Sequence, residues 1–262
     1  MSEIPPPVPK MIPAATVVIF RHGTMGGTPP EILMVQRAKE MRFAGGAAVF
    51  PGGRIDPADR ALAQDLATGS GTDIAAARIA GIRETLEETG LLIATHQPVS
   101  APEAAEARAM LLQQGALAPV LERFGWRLEL DSLVPFAHWC PQWQGAFDTR
   151  FFLADLGTGA VDIAVDATEN TRLFWASAAD ALTMADAGEI SVIFPTRRNL
   201  ERLALFSSFA DACAHAADFP VQMISPRREQ RDGETWLTIP EGLGYPVTAQ
   251  PMATVRRGRM PA

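Results

Sequence analysis

The chain has 262 residues, a net charge of −7, 47% hydrophobic residues and 20% charged residues. This length suits one large domain or two small ones, and the hydrophobic fraction is typical of a chain with a packed core. Binding to a nucleic-acid backbone requires clustered Lys and Arg, so this acidic chain predicts no nucleic-acid partner.

The cysteines and the chain ends indicate a cytoplasmic protein without a membrane partner. Cys140 and Cys213 lack the spacing of a metal or redox motif, which predicts free, mostly buried thiols in a reducing compartment. The N-terminal residues are proline-rich without the apolar segment of a signal peptide, and the C-terminal residues carry no peroxisomal tripeptide. The sequence contains no run of about 18 apolar residues, so it predicts no membrane span. The oligomeric state stays open, with a homodimer as one option.

The first half of the chain predicts strands followed by helices. In chain order we expect a buried strand at 14–20, its hairpin partner at 31–37, a short strand within 47–56 that runs into a Gly-Gly loop, a short helix within 57–72, a helix over 73–89 and a strand at 91–95. Thr72 or Asp73 is the expected N-cap of the long helix and Gly90 its stop. Its expected apolar stripe consists of Ile74, Ile79, Ile82 and Leu86.

The second half predicts more strands and helices after a helical segment. We expect one or two helices in 102–125, mostly strand over 126–140, strands at 147–156 and 171–177, amphipathic helices at 178–189 and 196–219, and a hairpin at 230–240 with Asp232-Gly233 at its tip. Strands that alternate with helices and then continue after them predict a mixed-sheet α/β domain with additional helices.

The stretch RETLEETG places Glu84, Glu87 and Glu88 at the end of the long helix. These carboxylates share one helix face, and a helix C-terminus disfavours negative charge. A solvated acidic face is one interpretation of this cluster. The other is a hard divalent cation such as Mg²⁺, which prefers carboxylate oxygens and shares its ligands with substrate phosphates.

A second feature strengthens the metal interpretation. VFPGG (49–53) ends a strand in Gly52 and Gly53, and adjacent glycines permit the backbone to approach a ligand or metal closely. A tight turn is the alternative. A Gly-Gly loop followed by a carboxylate-rich helix is the less common combination.

The segment from Arg83 to Leu91 resembles the second half of the signature of Nudix hydrolases, Arg-Glu-apolar-x-Glu-Glu-x-Gly-apolar. The first half, Gly-x5-Glu-x7, would start at Gly53, with Asp59 where Glu is usual. Thr85 replaces the apolar residue, and the interval from Gly53 to Arg83 is about 16 residues longer than in the signature.

The Nudix resemblance implies an enzyme that hydrolyses a pyrophosphate bond with Mg²⁺ or Mn²⁺. It implies Glu87 and Glu88 as central metal ligands, the Gly52 carbonyl as a backbone ligand, and Glu84 as a further ligand or proton acceptor. Arg83 would hold the glutamates in place. A later loop acid usually completes the ligand set, for which the first candidate is Glu169, followed by Asp166 and Asp162.

The segment 33–56 is similar to the one that precedes the signature in coenzyme A diphosphatases of this family. Arg37, Arg42, Gly46, Phe50 to Gly53 and Asp56 keep that pattern, with Ala38 in place of Ser. The insertion and PFAHWCPQWQGAFDTRFFLA (135–154) also resemble the animal peroxisomal branch. The implied substrate is coenzyme A or an acyl-coenzyme A, cleaved to 3′,5′-ADP and (acyl-)phosphopantetheine.

Four residues are the substrate-binding candidates. Arg37 and Arg42 can meet phosphate charge, Gly53 permits close backbone approach, and Phe43 could stack on adenine. A broader nucleoside-diphosphate-X hydrolase, acting on ADP-ribose or a dinucleotide, and a catalytically silent Nudix-fold binding module are the open alternatives.

The resemblance also predicts the organisation of the chain. We expect a Nudix-type α/β/α sandwich with a mixed sheet and additional helices. An extended lead-in would occupy 1–13, and a single domain 14–245, with helical insertions at about 57–72 and 102–125 and helices towards its C-terminus. A tail would occupy 246–262.

Overall fold

The computed structural model describes residues 11–22, 28–39, 44–66, 71–157 and 170–255. The strands in these ranges are β1 (Ile12–Arg21), β2 (Glu31–Arg37), β3 (Ala48–Val49), β4 (Gly52–Arg54), β5 (Val134–Trp139), β6 (Phe147–Asp155), β7 (Asn170–Ser177), β8 (Met223–Ile224), β9 (Arg227–Arg231), β10 (Glu234–Thr238) and β11 (Ala249–Pro251). The α-helices are α1 (Pro57–Leu66), α2 (Thr72–Thr89), α3 (Ala101–Gln114), α4 (Ala118–Phe124), α5 (Ala178–Asp186), α6 (Phe194–Leu203) and α7 (Phe209–Asp218). None of these described helices is long and apolar enough to cross a membrane.

The main sheet is mixed and is built around β1. Its path runs β3-β2-β1-β6-β5-β8, with β4 also paired to β1 and β7 to β2. β1 is parallel to β6 and antiparallel to β2 and β4. β2 meets β1 at Phe20 and Arg21, whereas β4 meets it at Ala14 to Thr16, so the Gly-Gly segment lies at the N-terminal end of β1.

Helices cover both faces of this sheet, which confirms the α/β/α sandwich. Val17 and Ile19 of β1 pack with Ile79 and Ile82 of α2 and with residues of α1, α3 and α4. The alternate residues of β1 face the layer that contains α5, α6 and α7. Successive strand residues point to opposite faces, so one fully buried strand supplies both cores.

The long helix α2 ends as expected but starts differently. Gly90 adopts the left-handed conformation, with φ of 77°, and its N–H bonds to the Leu86 carbonyl. The N-cap is Gly71 and has no side-chain cap, so the expectation of Thr72 or Asp73 was wrong. Asp73 instead pairs with Arg60 of α1 at 2.9 Å.

Ile74 does not belong to the buried stripe of α2, because it is 38% exposed. The other expected members of the stripe are buried: Ile79, Ile82 and Leu86.

Two expected strands are shorter or absent. Residues 91–95 form no strand, and only Thr95 makes a single bridge, to Leu128. Leu91 and Ile93 are buried in the α2-side core, which accounts for their apolar character without strand pairing. The strand expected over 126–140 starts only at Val134, after a short 3-10 turn at Leu130–Ser132.

The helical run expected at 196–219 is divided into α6 and α7. Ser208 caps the second helix, since its hydroxyl accepts a hydrogen bond from the Asp211 N–H at 3.0 Å. The segment 102–125 likewise holds two helices, α3 and α4.

The C-terminal part forms a second, three-stranded sheet of β9, β10 and β11. Asp232 and Gly233 have φ of 49° and 83°, as a two-residue hairpin of type I′ requires. Residues 249–251, which the sequence assigned to a tail, form β11 and pair with β10.

The burial of the two free thiols is only partly as expected, since Cys140 is buried and Cys213 is half-buried.

Candidate active site

The C-terminal half of α2 lies against β4. Gly52 donates its backbone N–H to Glu88 Oε2 at 3.0 Å. Val17–Pro51 and Pro13–Ile55 are hydrogen-bonded pairs of the β1–β4 ladder. Such pairs alternate with non-hydrogen-bonded pairs, and Gly52, which lies opposite Thr16, belongs to the second kind. Its N–H therefore points away from β1 and is available to the helix.

Gly52 and Gly53 are required by space rather than by a turn. A Cβ on Gly52 would lie 2.3 Å from the Ala15 carbonyl, and one on Gly53 would lie 2.3 Å from the Glu84 carboxyl group. Both distances are below any normal contact, so no other residue fits at either position without movement. The sequence expected a Gly-Gly loop, whereas both residues belong to β4.

Arg83 is buried at the centre of the acidic cluster. Its Nε and Nη2 bond to the two carboxylate oxygens of Asp59, both at 3.0 Å, and Nη2 also donates to the Arg54 carbonyl at 2.9 Å. Its Nη1 lies 2.9 Å from Glu84 Oε1 and 3.6 Å from Glu87 Oε2. Burial lowers the pKa of Arg83, but the hydrogen bond to Asp59 and the charges of Glu84 and Asp59 outweigh it and raise the pKa overall.

The insertion inside the signature leaves this arrangement intact. The described residues between Gly53 and Arg83 include α1 and the first turns of α2, and Asp59 at the start of α1 still reaches Arg83. Asp59 also accepts a hydrogen bond from the Asp56 N–H at 2.8 Å, which fixes its position.

Thr85, the departure from the apolar position of the signature, is fully buried. Its hydroxyl donates to the Gly81 carbonyl one turn earlier, at 2.7 Å. A buried hydroxyl with such a partner carries little penalty, so the helix accommodates Thr85 at an apolar position.

Burial raises the pKa values of two glutamates. It raises the pKa of Glu84 to about 7, against the lowering effect of Arg83, and it raises the pKa of Glu88 to about 8, with a further increase from the charge of Glu84. Two buried carboxylates this close together resist ionisation until a cation compensates their charge.

The side chains of Glu84, Glu87 and Glu88 offer ligands that suit a hard cation, although their oxygens do not already surround a metal-sized space. Among the described residues, no three His, Cys, Asp or Glu side chains enclose a metal-sized space. The available donors of Glu84, Glu87 and Glu88 are all carboxylate oxygens, the ligands that Mg²⁺ and Mn²⁺ prefer. The burial and mutual repulsion of Glu84 and Glu88 are what a bound cation would compensate here.

Arg37 is the substrate-binding candidate that the structure places beside this cluster. It ends β2, its charge lowers the pKa of Glu88, and its buried Nε has no hydrogen-bond partner among the described residues. Several other candidates lie outside the described residues, namely Arg42, Phe43, Asp162, Asp166 and Glu169. Their roles, and the Gly52 carbonyl as a ligand, stay predictions.

Asn170 is a site residue that sequence reasoning missed. It begins β7, is 2% exposed and lies opposite Arg37 in the β2–β7 pair. Asn170 lowers the pKa of Glu88, yet neither polar atom of its amide is within hydrogen-bond geometry of a partner in the described part of the chain. The only sequence signal was an Asn at the start of an aromatic strand.

No protein-family model matches the chain. It is 26% identical to the acyl-coenzyme A diphosphatase NUDT19 of Gallus gallus, over 78% of this chain and 71% of that protein. It is 29% identical to a NUDIX hydrolase from Alicyclobacillus acidocaldarius of known crystal structure, with a TM-score of 0.66 over 79% of this chain and 97% of that one. The motif, the fold and these two similarities show that the chain resembles enzymes of the Nudix pyrophosphohydrolase type, and among them the coenzyme A diphosphatases.

Proposed function

We propose that the enzyme hydrolyses the pyrophosphate bond of coenzyme A or an acyl-coenzyme A, and that it requires Mg²⁺ or Mn²⁺. The observation that supports the reaction best is the packing of Glu84 and Glu88 against Gly53 and Gly52. One water molecule is added across the bond, which yields 3′,5′-ADP and (acyl-)phosphopantetheine.

The three glutamates at the end of α2 would hold the cation. A bound divalent cation neutralises phosphate oxygens and lowers the pKa of water, which makes attack on an anionic substrate feasible. Glu88 is held by the Gly52 N–H and Glu84 by Arg83, so both carboxylates are oriented before substrate binds. Such preorganisation reduces the reorganisation that the reaction would otherwise need.

Arg83 acts on the glutamates rather than on the substrate in this proposal. Its guanidinium is buried and bonded to Asp59, Glu84 and the Arg54 carbonyl, and its side chain is only 5% exposed. An arginine in such a network has little access to a substrate phosphate.

Arg37 is the proposed phosphate contact. Its unpaired Nε beside Glu88 leaves a donor available at the edge of the cluster. Arginine binds phosphate well, because its planar fork of N–H groups matches the phosphate oxygens. The segment that contains Arg37 also carries the resemblance to coenzyme A diphosphatases, and the similarity to the Gallus gallus acyl-coenzyme A diphosphatase supports the same substrate class.

A substrate panel tests this assignment. Purified enzyme with Mg²⁺ or Mn²⁺ is incubated with coenzyme A, acetyl-coenzyme A, dephospho-coenzyme A, ADP-ribose and a dinucleoside polyphosphate, and the products are identified by mass spectrometry. We expect 3′,5′-ADP from the first two at the highest kcat/KM. Preferential turnover of ADP-ribose or the dinucleotide would overturn the coenzyme A assignment and favour a broader nucleoside-diphosphate-X hydrolase.

A further inference from the structure

Asn170 is unusual among the buried polar residues of the sheet. Its side chain is 2% exposed, and both its Nδ2 and its Oδ1 lack a hydrogen-bond partner among the described residues. Asn199, a buried asparagine in the other helical layer, has at least its Oδ1 satisfied by the Tyr245 hydroxyl at 2.8 Å. A buried amide without partners destabilises the fold, so a leucine of similar shape would be more stable at position 170.

A β-bulge places Asn170 on the side of the sheet that faces α2. Gln36 pairs with Arg172, but Arg37 pairs with Asn170, so Thr171 is the additional residue. Leu173 packs on the α2-side core. If side chains alternated regularly from Leu173, Asn170 would point to the opposite face, so the additional residue reverses its direction. Bulges of this kind redirect side chains next to active sites.

Three polar groups meet at this position. They are the Glu88 carboxylate, the Asn170 amide and the Arg37 guanidinium, and both Asn170 and Arg37 lower the pKa of Glu88. Asn170 acts on Glu88 as a hydrogen-bond donor, yet its amide lies outside the geometry of a well-formed hydrogen bond, and Arg37 forms no ion pair with Glu88 among the described residues. Polar groups that face one another without well-formed hydrogen bonds are suited to a bridging oxygen atom.

We infer that Asn170 is a positioning residue of the active site, whose amide fixes the Glu88 carboxylate and an oxygen atom that bridges it to Arg37. The bridging oxygen belongs either to a substrate phosphate or to a water molecule. This inference rests on the proposed function, since it assigns a role at the same cluster. Folding alone does not account for an unpartnered amide here, whereas a bridging ligand satisfies all three groups.

The test compares the natural protein with Asn170→Leu, which removes both polar atoms and keeps the approximate volume. Asn199→Leu is the matched control, because it alters a buried asparagine in the opposite layer, away from the glutamates. Three quantities are measured on the full chain: the melting temperature, the affinity for Mn²⁺ alone by electron paramagnetic resonance, and kcat and KM with the best substrate of the panel.

We expect Asn170→Leu to keep or increase the melting temperature while kcat/KM falls at least tenfold. A loss confined to KM would identify the bridging oxygen as a substrate phosphate, and weaker Mn²⁺ binding without substrate would identify it as water. Asn199→Leu should lower the melting temperature and leave kcat/KM within twofold. If Asn170→Leu folds poorly, Asn170→Ala gives the same comparison.

Asn170→Leu kinetics and Mn²⁺ affinity within twofold of the natural protein would overturn the inference. Failure of the substrate assignment is separable from this result, because the comparison uses whichever pyrophosphate substrate the natural protein hydrolyses. Absence of both turnover and Mn²⁺ binding in the natural protein would overturn both proposals.

Discussion

Asp59 binds Arg83 through two parallel hydrogen bonds of 3.0 Å, although 24 residues separate them in the chain. The pair joins the start of α1 to the last turns of α2 and spans the insertion in the Nudix signature. Arg83 in turn bonds to Glu84 and lies near Glu87. The two halves of the signature are therefore brought together in space, although the insertion separates them in sequence.

Asp59→Asn should destabilise the protein by about 3–5 kcal/mol, because it leaves the buried guanidinium of Arg83 without its main counter-charge. Urea denaturation measures the free energy of unfolding. Asp73→Asn is the matched control, since it removes an ion pair to Arg60 in which Asp73 is largely exposed, and it should cost at most about 1 kcal/mol. Equal losses in the two variants would contradict a structural role for the Asp59–Arg83 pair.

Gly53→Ala should lower activity more than stability. The new Cβ would meet the Glu84 carboxyl group, which is the end of a flexible side chain and can move aside at little cost. That movement displaces a proposed metal ligand, so we expect kcat/KM to fall at least tenfold with a melting temperature near that of the natural protein. Gly71→Ala, where a Cβ meets nothing within 4 Å, serves as the control. Activity of Gly53→Ala equal to that of Gly71→Ala would refute this reasoning.

Metal-free protein should lose stability as the pH rises from about 5 to about 8. The pKa of Glu84 is raised to about 7 and that of Glu88 to about 8 from an ordinary value of 4.5, so the folded state binds more protons than the unfolded state across this range. Stability then falls with increasing pH. Thermal denaturation in EDTA measures the slope, and Glu88→Gln should reduce it. An unchanged slope in Glu88→Gln would show that Glu88 does not titrate in this range.

Mn²⁺ should reverse this trend, since a cation binds the ionised carboxylates and stabilises the folded state by mass action. We expect the increase in melting temperature on adding Mn²⁺ to be larger at pH 8 than at pH 6. An increase of equal size at both pH values, or none, would contradict cation binding at the glutamates.

Thr85→Val should be nearly neutral. The buried hydroxyl donates only to the Gly81 carbonyl, which remains within the helix, and valine has nearly the same shape. We expect a change in unfolding free energy below about 1 kcal/mol and kcat/KM within twofold. A large loss of activity would mean that the Thr85 hydroxyl has a role at the site.

The sequence predicted the elements whose pattern is long and local. The strands β1, β6 and β7 and the helix α2 have runs of strand or helix formers that leave little ambiguity. Residues 91–95 have the same composition as a strand, but they pack against helices and have no strand partner. The division between α6 and α7 had a local signal, the Ser208 cap with Asp211 three residues later, within a run that otherwise reads as one helix.

The candidate site was predictable where its residues are close in sequence. Glu84, Glu87 and Glu88 share one helix face by spacing alone. The contact of Gly53 with Glu84 and the position of Asn170 depend on strand register and a bulge, which the sequence does not display. Sequence reasoning therefore found the acidic cluster and missed Asn170.

The most direct test of the central claim is hydrolysis of coenzyme A by the natural protein and by Glu87→Gln, with Mg²⁺ or Mn²⁺ present. Glu122→Gln, which alters an exposed glutamate of α4, is the matched control. The account predicts release of 3′,5′-ADP by the natural protein and by Glu122→Gln, its abolition by EDTA, and no detectable turnover by Glu87→Gln. Undiminished release of 3′,5′-ADP by Glu87→Gln would contradict it.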